Sequence, residues 1–315
     1  MSYGNSQWQK WVLDEDKALP LLKAAYDKGL NTWDTADFYS DGQSEVVVGK
    51  AIKEYSIPRE QLVILSKCYF TWDSEAGTVA ANDNKKWVNR CGLSRKHILD
   101  AVDRSVERLG TYIDVLQIHR LDRETPMEEI MKALDDVVKS GKVRYIGASS
   151  MYAWEFQALQ NIAERNGWTK FISMQNYLNL LYREEEREMI PYCKATGVGL
   201  IPWSPLARGV LTRPIGAAPT TREEVDRTLK GHYRSRESEA DNAIVTRVEE
   251  IAKKRGVSMA TVGMAWVMKQ GACPIVGMSS EERMDEAIAA IDFELSDEEA
   301  RYLEEPYLPK FVMGI

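Results

Sequence analysis

Short apolar runs of strand character alternate with amphipathic helical patterns along most of this chain. Seven runs are present: Leu30–Asp34, Val63–Lys67, Ile113–His119, Val143–Ser149, Phe171–Asn176, Val198–Ser204 and Pro274–Ser279. Strands separated by helices form a parallel sheet covered by those helices, and seven or eight such units favour closure. The pattern therefore predicts an α/β fold, a (β/α)₈ TIM barrel, as one domain over residues 1–315. An open doubly wound sheet is the lesser alternative.

The net charge and the cysteine content argue against several classes of partner and site. With 41 Lys plus Arg against 48 Asp plus Glu, the formal charge is -7, which argues against a nucleic-acid partner and against attraction to an anionic membrane. The 4 cysteines form no CxxC and no ligand-like pairing with the 3 histidines, so we expect neither a metal site nor a disulfide framework. The chain opens without an apolar segment and contains no run of about 18 apolar residues. We therefore predict a cytoplasmic protein that does not associate with membranes.

Two long polar insertions, Thr71–Leu93 and Thr212–Asp241, follow predicted strand ends. Loops of this length are usually functional lids or disordered segments, and the composition does not distinguish the two. No GxGxxG motif follows any predicted strand, which removes the usual basis for a Rossmann dinucleotide site. A nucleotide would have to be bound in another way.

Four polar residues stand at or just after the ends of successive predicted strands. Asp34 ends the first run and Tyr39 follows it, Lys67 ends the second run, and His119 ends the third. The carboxyl ends of parallel strands converge on one rim of a barrel, and that rim is where such barrels carry out chemistry. We therefore expect these four side chains to form an active site.

The motifs DTADFY around Asp34 and Tyr39, ILSK at Lys67 and QIHR at His119 occur in an order that resembles the aldo-keto reductase family, over about residues 4–290. The resemblance implies that an aldehyde or ketone gains hydride from NAD(P)H and a proton from Tyr39. It further implies that Lys67, held by Asp34, lowers the pKa of this tyrosine. His119 would orient the carbonyl and share its developing charge.

The same resemblance assigns residues to the nicotinamide end of the cofactor. It implies that the nicotinamide amide is bound by Ser149, Ser150 and Gln175. Ser150 departs from the family pattern, which has Asn at this position. The nicotinamide ring would stack on Trp203, because a flat apolar face suits that ring.

The remaining cofactor residues are implied for the phosphates and the adenosine. The loop over the pyrophosphate comprises Ser204, Pro205, Leu206, Arg208 and Gly209. A lid over the phosphates would use Arg213 and Arg222. The segment beside the adenosine 2′-phosphate comprises Gly277, Ser279, Arg283 and Glu286. A helix start suits an anion and a guanidinium suits a phosphate dianion, so the resemblance favours NADP(H) over NAD.

Some features of the chain depart from the usual family pattern or divide its members. Met1–Gly4 lies inside the turn that follows the family's first strand, so we expect an N-terminally truncated barrel without the usual hairpin and most of that strand. WDTADFYS and IPWSPL are more similar to fungal aryl-alcohol dehydrogenases and secondary-metabolite reductases than to aldose reductases, which favours an aryl or secondary-metabolite carbonyl substrate. An NADP(H)-binding partner protein, similar to potassium-channel β subunits, and an inactive remnant are the alternatives. Oligomeric state and reaction direction stay open.

Overall fold

The computed structural model describes residues 1–73, 77–79, 87–226, 229 and 237–314. These residues divide into two compact units. Unit 1 comprises Met1–Gln175 with Thr196–Val198, and unit 2 comprises Asn176–Ala195 with Gly199–Gly314. The prediction of one domain over the whole chain stays a prediction. Within the described ranges, no helix is long and apolar enough to cross a membrane.

Unit 1 is built around a parallel sheet. In chain order its strands are β1 (Tyr3–Gly4), β2 (Leu13–Asp14), β3 (Thr32–Asp34), β4 (Val63–Cys68), β5 (Thr71–Asp73), β6 (Gly77–Val79), β7 (Ile113–Ile118), β8 (Val143–Ser149) and β9 (Phe171–Gln175). The main sheet has the order β3-β4-β7-β8-β9, and every neighbouring pair is parallel. Strands β1 and β2 form a separate parallel pair, and β5 and β6 form an antiparallel one. Five of the predicted strands are thus confirmed, with ends within about two residues.

Helices connect the parallel strands of unit 1. They are α1 (Glu15–Asp27), α2 (Gln43–Glu54), α3 (Arg95–Leu109), α4 (Met127–Lys139) and α5 (Ala153–Asn166). Consecutive helices from α1 to α5 pack side by side. The sequence sets their ends: the Ser94 side chain accepts a hydrogen bond from the His97 backbone at the start of α3, while Gly110 and Gly167 end α3 and α5 with φ of 67° and 65°. Only glycine adopts this left-handed conformation without steric cost.

Gly147, in the middle of β8, allows two neighbouring strands to approach closely. A Cβ at this position would lie 2.5 Å from the Ser173 hydroxyl and 3.1 Å from Cγ of Gln117. Any side chain here would therefore push Gln117 away from its place on β7. Gln117 donates a hydrogen bond to the Asp34 carboxylate, so this glycine keeps that contact in place.

Unit 2 is mainly helical. From residue 176 onward the chain forms α6 (Met189–Thr196), β10 (Gly199–Leu200), α7 (Thr221–Val225), α8 (Glu239–Arg255), α9 (Met259–Lys269), α10 (Glu281–Ala289) and α11 (Asp297–Glu304). Serine side chains cap α8 to α11 at their first turns, at Ser238, Ser258, Ser280 and Ser296. Such caps satisfy backbone N–H groups that otherwise have no partner in the helix. Buried residues of α9 and α10 form an apolar cluster of Ala260, Met264, Ala287 and Ala290.

The last two predicted strands differ from the structure. The strand predicted over Val198–Ser204 is reduced to β10, and the strand predicted over Pro274–Ser279 is wrong, since only a bridge from Ile275 to Trp203 forms there. Two backbone hydrogen bonds still join these parts of the chain. The Cys273 N–H donates to the Leu200 carbonyl at 2.8 Å, and the Ile275 N–H donates to the Pro202 carbonyl at 2.9 Å. Pro202 and Pro274 have no N–H to donate, which limits the ladder to these few bonds.

The two predicted insertions are described only in part. Within Thr71–Leu93, the pair β5 and β6 is formed, and residues 74–76 and 80–86 lie outside the described residues. Within Thr212–Asp241, α7 and the first residues of α8 are formed, and residues 227–228 and 230–236 lie outside them. Whether either insertion acts as a lid stays a prediction.

Candidate active site

A buried ion pair links the ends of β3 and β4. Lys67 Nζ donates to Asp34 Oδ2 at 2.5 Å and to the Thr35 carbonyl at 2.8 Å, and the lysine side chain is 0% exposed. Removing either partner of such a pair would leave an uncompensated charge away from water, which strongly destabilises a fold. The sequence prediction that Asp34 holds Lys67 agrees with this geometry.

The second oxygen of Asp34 is also occupied. Gln117 and Gln175 each donate from Nε2 to Asp34 Oδ1, at 3.0 and 2.9 Å, and Gln175 Nε2 also donates to Gln117 Oε1 at 3.0 Å. The carboxylate is therefore fixed by three side chains from three further strands of one sheet. Sequence reasoning missed Gln117, although it lies on β7 two residues before His119, a spacing that places two side chains on the same side of an extended chain.

Tyr39 lies against this ion pair. Its side chain is buried, its hydroxyl is hydrogen-bonded to Lys67, and Lys67 Nζ lies 5.2 Å from the ring centroid. The His119 ring meets the Tyr39 ring edge-on at a centroid distance of 5.7 Å. The loop that carries Tyr39 is bound to β4 through the Asp37 N–H, which donates to the Lys67 carbonyl at 3.0 Å. Unit 1 thus brings all four predicted catalytic residues together.

Burial and charge set the protonation states of this cluster. Burial raises the pKa of Tyr39, and the neighbouring Lys67 cation lowers it only in part. The predicted lowering by Lys67 is present, but the removal of water outweighs it, so the net shift of the pKa of Tyr39 is upward. Burial opposes the charge on Lys67 as well, yet Asp34 and Tyr39 outweigh it and raise its pKa. Tyr39 is consequently a neutral acid and Lys67 a cation at ordinary pH.

His119 is neutral in this environment. Burial, assisted by the charges of Lys67 and Arg120, holds the pKa of the imidazole well below its usual range. Its backbone N–H donates to the Cys68 carbonyl at 3.0 Å, which fixes the residue just beyond the end of β7. Among the described residues, the buried Nδ1 atom has no hydrogen-bond partner. The imidazole thus keeps unused hydrogen-bonding capacity, which is the property expected of a group that binds a ligand.

The predicted amide-binding residues also lie in unit 1. Ser149 donates from its hydroxyl to the Gln175 carbonyl at 2.7 Å, and Ser150 is buried with a φ of 44°. Both N–H groups of the Gln175 side chain already form hydrogen bonds, since its Nε2 donates to Asp34 and to Gln117. An amide group has only two such donors, so a ligand would meet Gln175 only at Oε1.

Trp203 lies in unit 2 in a fixed stack. Its ring is parallel to that of Tyr177, with a centroid distance of 4.4 Å and an interplanar angle of 25°. Its backbone N–H donates to the Asn176 carbonyl at 2.9 Å. The side chain stays partly exposed. An aromatic ring held in this way is suited to accept a second ring, as the predicted nicotinamide contact requires.

The turn after Trp203 is strained. Ser204, Ala207 and Arg208 have φ of 51°, 47° and 58°, and Gly209 has φ of 101°. Side chains other than glycine seldom adopt this left-handed region, and runs of such residues occur mainly where backbone groups must face a ligand. Pro205 at this turn is buried, and Leu206 packs against the apolar cluster of α9 and α10.

We call residues 207–226 the arginine loop. Its three predicted phosphate-binding cations all have carboxylate partners within the loop: Arg208 pairs with Asp226 at 2.7 Å, Arg222 pairs with Asp226 at 3.2 Å, and Arg213 pairs with Glu223. Burial opposes the charge on Asp226, but Arg208 and Arg222 outweigh it and lower the pKa of this carboxyl. These cations are therefore already neutralised by their own loop.

The predicted 2′-phosphate residues meet at the start of α10. Arg283 Nη1 donates to the Ser279 hydroxyl at 2.6 Å, and the backbone N–H of Arg283 donates to the capping Ser280. Arg283 is exposed and forms no ion pair within the described part of the chain. Gly277 is exposed, and Glu286 is partly buried on α10. A guanidinium and a hydroxyl at a helix start form a suitable group of donors for an anion.

Comparison with known proteins places the chain among its relatives. The model of a family described as "Aldo/keto reductase family" matches residues 1–307. A versiconal hemiacetal acetate reductase of Aspergillus parasiticus is 60% identical, over 99% of this chain and 93% of that protein. A Schizosaccharomyces pombe protein named "Putative aryl-alcohol dehydrogenase" is 57% identical, over 100% of this chain and 92% of that protein. An aldo-keto reductase of Fusarium vanettenii is 52% identical, over 99% of this chain and 87% of that protein.

These matches confirm the resemblance inferred from the DTADFY, ILSK and QIHR motifs. They also confirm the similarity to fungal aryl-alcohol dehydrogenases and to reductases. The match spans both units, and the relatives are covered over most of their length. The chain is therefore an oxidoreductase of the aldo/keto reductase family and has the (β/α)₈ fold of that family.

Proposed function

We propose that this protein reduces an aldehyde or ketone to the alcohol, with NADPH as the hydride donor and Tyr39 as the proton donor. The observation that carries the proposal is the buried cluster of Asp34, Lys67, Tyr39 and His119. A neutral phenol beside a cation, with a neutral imidazole next to it, is suited to protonate a carbonyl oxygen. The family membership supports the same reaction class.

Each residue of the cluster has a defined task in this proposal. When bound, NADPH supplies the hydride to the carbonyl carbon. Tyr39 donates its hydroxyl proton to the carbonyl oxygen, and the Lys67 cation stabilises the negative charge that develops on the phenol oxygen. Asp34 keeps Lys67 charged and in place. His119, neutral because it is buried, donates a hydrogen bond to the carbonyl oxygen and so orients the substrate.

Features of unit 2 support a dinucleotide with a 2′-phosphate. Ser279 and the exposed Arg283 would bind that phosphate. The guanidinium favours NADPH over NADH because the phosphate is a dianion. Trp203 would accept the nicotinamide ring on its stacked indole. The strained turn from Ser204 to Gly209 would direct backbone N–H groups towards the pyrophosphate. Arg208 and Arg222 would exchange Asp226 for phosphate oxygens on binding.

The names of the relatives favour an aromatic carbonyl as the substrate. One relative is named for the reduction of versiconal hemiacetal acetate and another for aryl alcohols. Side chains beside the tetrad agree with an aromatic ligand, since Phe38 and Phe70 each lie within 5.3 Å of the His119 ring, measured between centroids. We therefore propose an aryl or secondary-metabolite aldehyde or ketone.

The test is a reductase assay with purified protein, a neutral aromatic aldehyde and either NADPH or NADH. We expect NADPH-dependent loss of the reduced-nicotinamide absorbance in the wild type. Tyr39→Phe should reduce kcat by at least about 100-fold, since general acid catalysis contributes on the order of 10²- to 10⁴-fold. Tyr145→Phe, at an exposed tyrosine on β8, is the matched control and should behave as the wild type. Unchanged turnover in Tyr39→Phe would refute the assigned proton donor.

A further inference from the structure

An aromatic wall lines one side of the catalytic cluster in unit 1. It consists of Trp8, Phe38 and Phe70, which lie beside Tyr39 and His119. Phe38 is central: its ring centroid lies 5.0 Å from that of Tyr39, 5.2 Å from that of Phe70 and 5.3 Å from that of His119. Trp8 lies 6.0 Å from both Phe38 and Tyr39. Such a wall suits the ring of an aromatic substrate but carries no charge.

Arg120 adds a cation to this wall. It directly follows His119, and its Nη1 donates to the His119 carbonyl at 2.5 Å. Its guanidinium carbon lies 5.9 Å from the Phe70 ring centroid, within range of a cation–π contact. The Phe70 ring is itself 5.2 Å from the His119 ring, so the guanidinium is one aromatic side chain away from the catalytic imidazole. The residue is partly exposed, which leaves it accessible to a ligand.

Arg120 differs in its partners from three other arginines of unit 1. Arg59, Arg108 and Arg123 each form an ion pair with a carboxylate, namely Asp114, Glu45 and Glu155. Arg120 forms no ion pair with any carboxylate of the described ranges. The groups that it influences electrostatically are Tyr39, Tyr69 and His119, which are not anions at neutral pH.

A partly buried cation without a counter-ion is unfavourable unless something else compensates it. Burial accordingly lowers the pKa of Arg120 to about 10. The guanidinium still carries its charge at neutral pH. Its one hydrogen bond among the described residues, to the His119 carbonyl, uses one of the five N–H donors that an arginine has. The planar group therefore retains donors that could bind a carboxylate in a bidentate manner.

We propose that Arg120 determines substrate specificity by binding a carboxylate carried by the aromatic carbonyl substrate, while the aromatic wall contacts the substrate ring. This inference rests on the proposed carbonyl reductase function and assigns its substrate class: an aromatic aldehyde or ketone with an anionic oxygen substituent. Arg120 takes no part in proton or hydride transfer. It acts on binding, so its contribution falls on KM more than on kcat.

The test compares two substrates that differ in charge and by one methyl group, para-carboxybenzaldehyde and its neutral methyl ester. We expect the wild type to prefer the carboxylate by about 10-fold or more in kcat/KM, since a charge-assisted hydrogen bond contributes on the order of a tenfold effect or more. Arg120→Gln should abolish this preference, mainly through a rise in KM for the carboxylate. Arg165→Gln, at an exposed arginine in the last turn of α5, should keep the wild-type ratio.

Two results would overturn the proposal. One is a wild type that reduces acid and ester equally well. The other is an Arg120→Gln variant that slows both substrates by the same factor, because this would assign Arg120 to the electrostatics of Tyr39 and not to specificity. A pH profile of the variant with the ester would show that second role as a shift of the alkaline limb.

A binding measurement separates this proposal from the proposed function. Benzoate cannot be reduced by this route, but it carries the ring and the carboxylate, and its binding can be followed through tryptophan fluorescence with Trp8 as a nearby reporter. We expect Arg120→Gln to weaken benzoate binding about 10-fold relative to the wild type and to Arg165→Gln. If benzoate binding depends on Arg120 but the protein reduces no aldehyde, only the proposed carbonyl reductase function is refuted. If the protein reduces the ester but Arg120→Gln binds benzoate as well as the wild type does, only the proposed role of Arg120 in substrate specificity is refuted.

Discussion

The catalytic cluster of unit 1 and the arginine loop of unit 2 both contain ion pairs, but the two regions build them differently. In the catalytic cluster, Lys67 and Asp34 come from different strands and are almost completely buried. In the arginine loop, Arg208 and Arg222 reach Asp226 across 18 and 4 residues of the same segment. The catalytic pair is set by the sheet, whereas the pairs of the arginine loop form within one segment of the chain.

This difference predicts how each region responds to a ligand. The carboxylate of Asp34 is fixed by Lys67, Gln117 and Gln175, so the cluster is preorganised and needs no rearrangement before it acts. The arginines of the arginine loop are already neutralised by Asp226 and Glu223. They must therefore exchange these carboxylates for the cofactor phosphates when the cofactor binds. Changes in the cluster should therefore affect catalysis and stability, and changes in the loop should affect cofactor affinity.

The largest effect is expected from Lys67→Met in the catalytic cluster. The change leaves the Asp34 carboxylate buried without its cation, which should lower the free energy of unfolding by about 3–5 kcal/mol and reduce kcat by about 1000-fold or more. Chemical denaturation and steady-state kinetics measure the two effects. Lys53→Met, at an exposed lysine of α2, is the control.

A second variant sharpens this test. The double change Asp34→Asn with Lys67→Met removes both charges and should recover a large part of the stability while the enzyme stays inactive. If the double variant is as unstable as Lys67→Met alone, the ion pair is not the source of the effect, and the contrast between the two regions fails.

The next effect concerns cofactor choice in unit 2. Arg283→Gln removes the guanidinium beside Ser279, so the preference for NADPH over NADH should fall about 10- to 100-fold, as expected for loss of a charge-assisted contact. Fluorescence titration with each cofactor measures the ratio. Arg301→Gln, at an exposed arginine on α11, should leave it unchanged. An equal loss for both cofactors would mean that Arg283 stabilises α10 and does not recognise the 2′-phosphate.

Glu185 of unit 2 provides a buried carboxyl that, unlike Asp34, has no cation among its described partners. Burial raises its pKa from 4.5 to about 7, and its oxygen accepts only a long hydrogen bond of 3.5 Å from Asn176. Between these two pH values the folded state binds a proton that the unfolded state has lost, so stability falls as the pH rises and reaches its lower plateau above the folded-state pKa.

The expected loss is about 3 kcal/mol over this window, from 1.36 kcal/mol per pKa unit. Glu185→Gln keeps the shape, cannot ionise, and can donate to the buried Oδ1 of Asn176, which has no partner among the described residues. Denaturation at several pH values should therefore show a flatter profile for Glu185→Gln, with higher stability than the wild type above neutrality. Parallel profiles would contradict the raised pKa.

The smallest effect is expected in the arginine loop. Asp226→Asn releases Arg208 and Arg222 from their shared carboxylate, so NADPH should bind about 3- to 10-fold more tightly, which corresponds to the net free energy of about one hydrogen bond. Asp297→Asn, at an exposed aspartate that pairs with Lys269, serves as the control in the same titration. Weaker NADPH binding in Asp226→Asn would mean that the carboxylate positions the arginines and does not compete with phosphate.

The sequence predicted the cluster better than its surroundings, for a physical reason. Asp34, Lys67 and His119 stand at the ends of apolar strands, and parallel strands bring such ends together. The two prolines Pro202 and Pro274 shortened the late ladder, which alternation alone does not reveal. The net rise in the pKa of Tyr39 depends on burial, which no local motif specifies. The sequence did not single out Arg120, because only the three-dimensional arrangement reveals that it has no carboxylate partner among the described residues.

The most direct test of the central claim is the pH dependence of single-turnover reduction by NADPH-loaded enzyme. Tyr39 acts in its protonated form and burial raises its pKa, while the pKa of His119 lies well below its usual range. The account therefore predicts a hydride-transfer rate that is constant across neutral pH and declines only in the alkaline range, and a rate at least about 100-fold lower in Tyr39→Phe. A rate that titrates near the ordinary pKa of histidine, or a Tyr39→Phe variant as fast as the wild type, would contradict it.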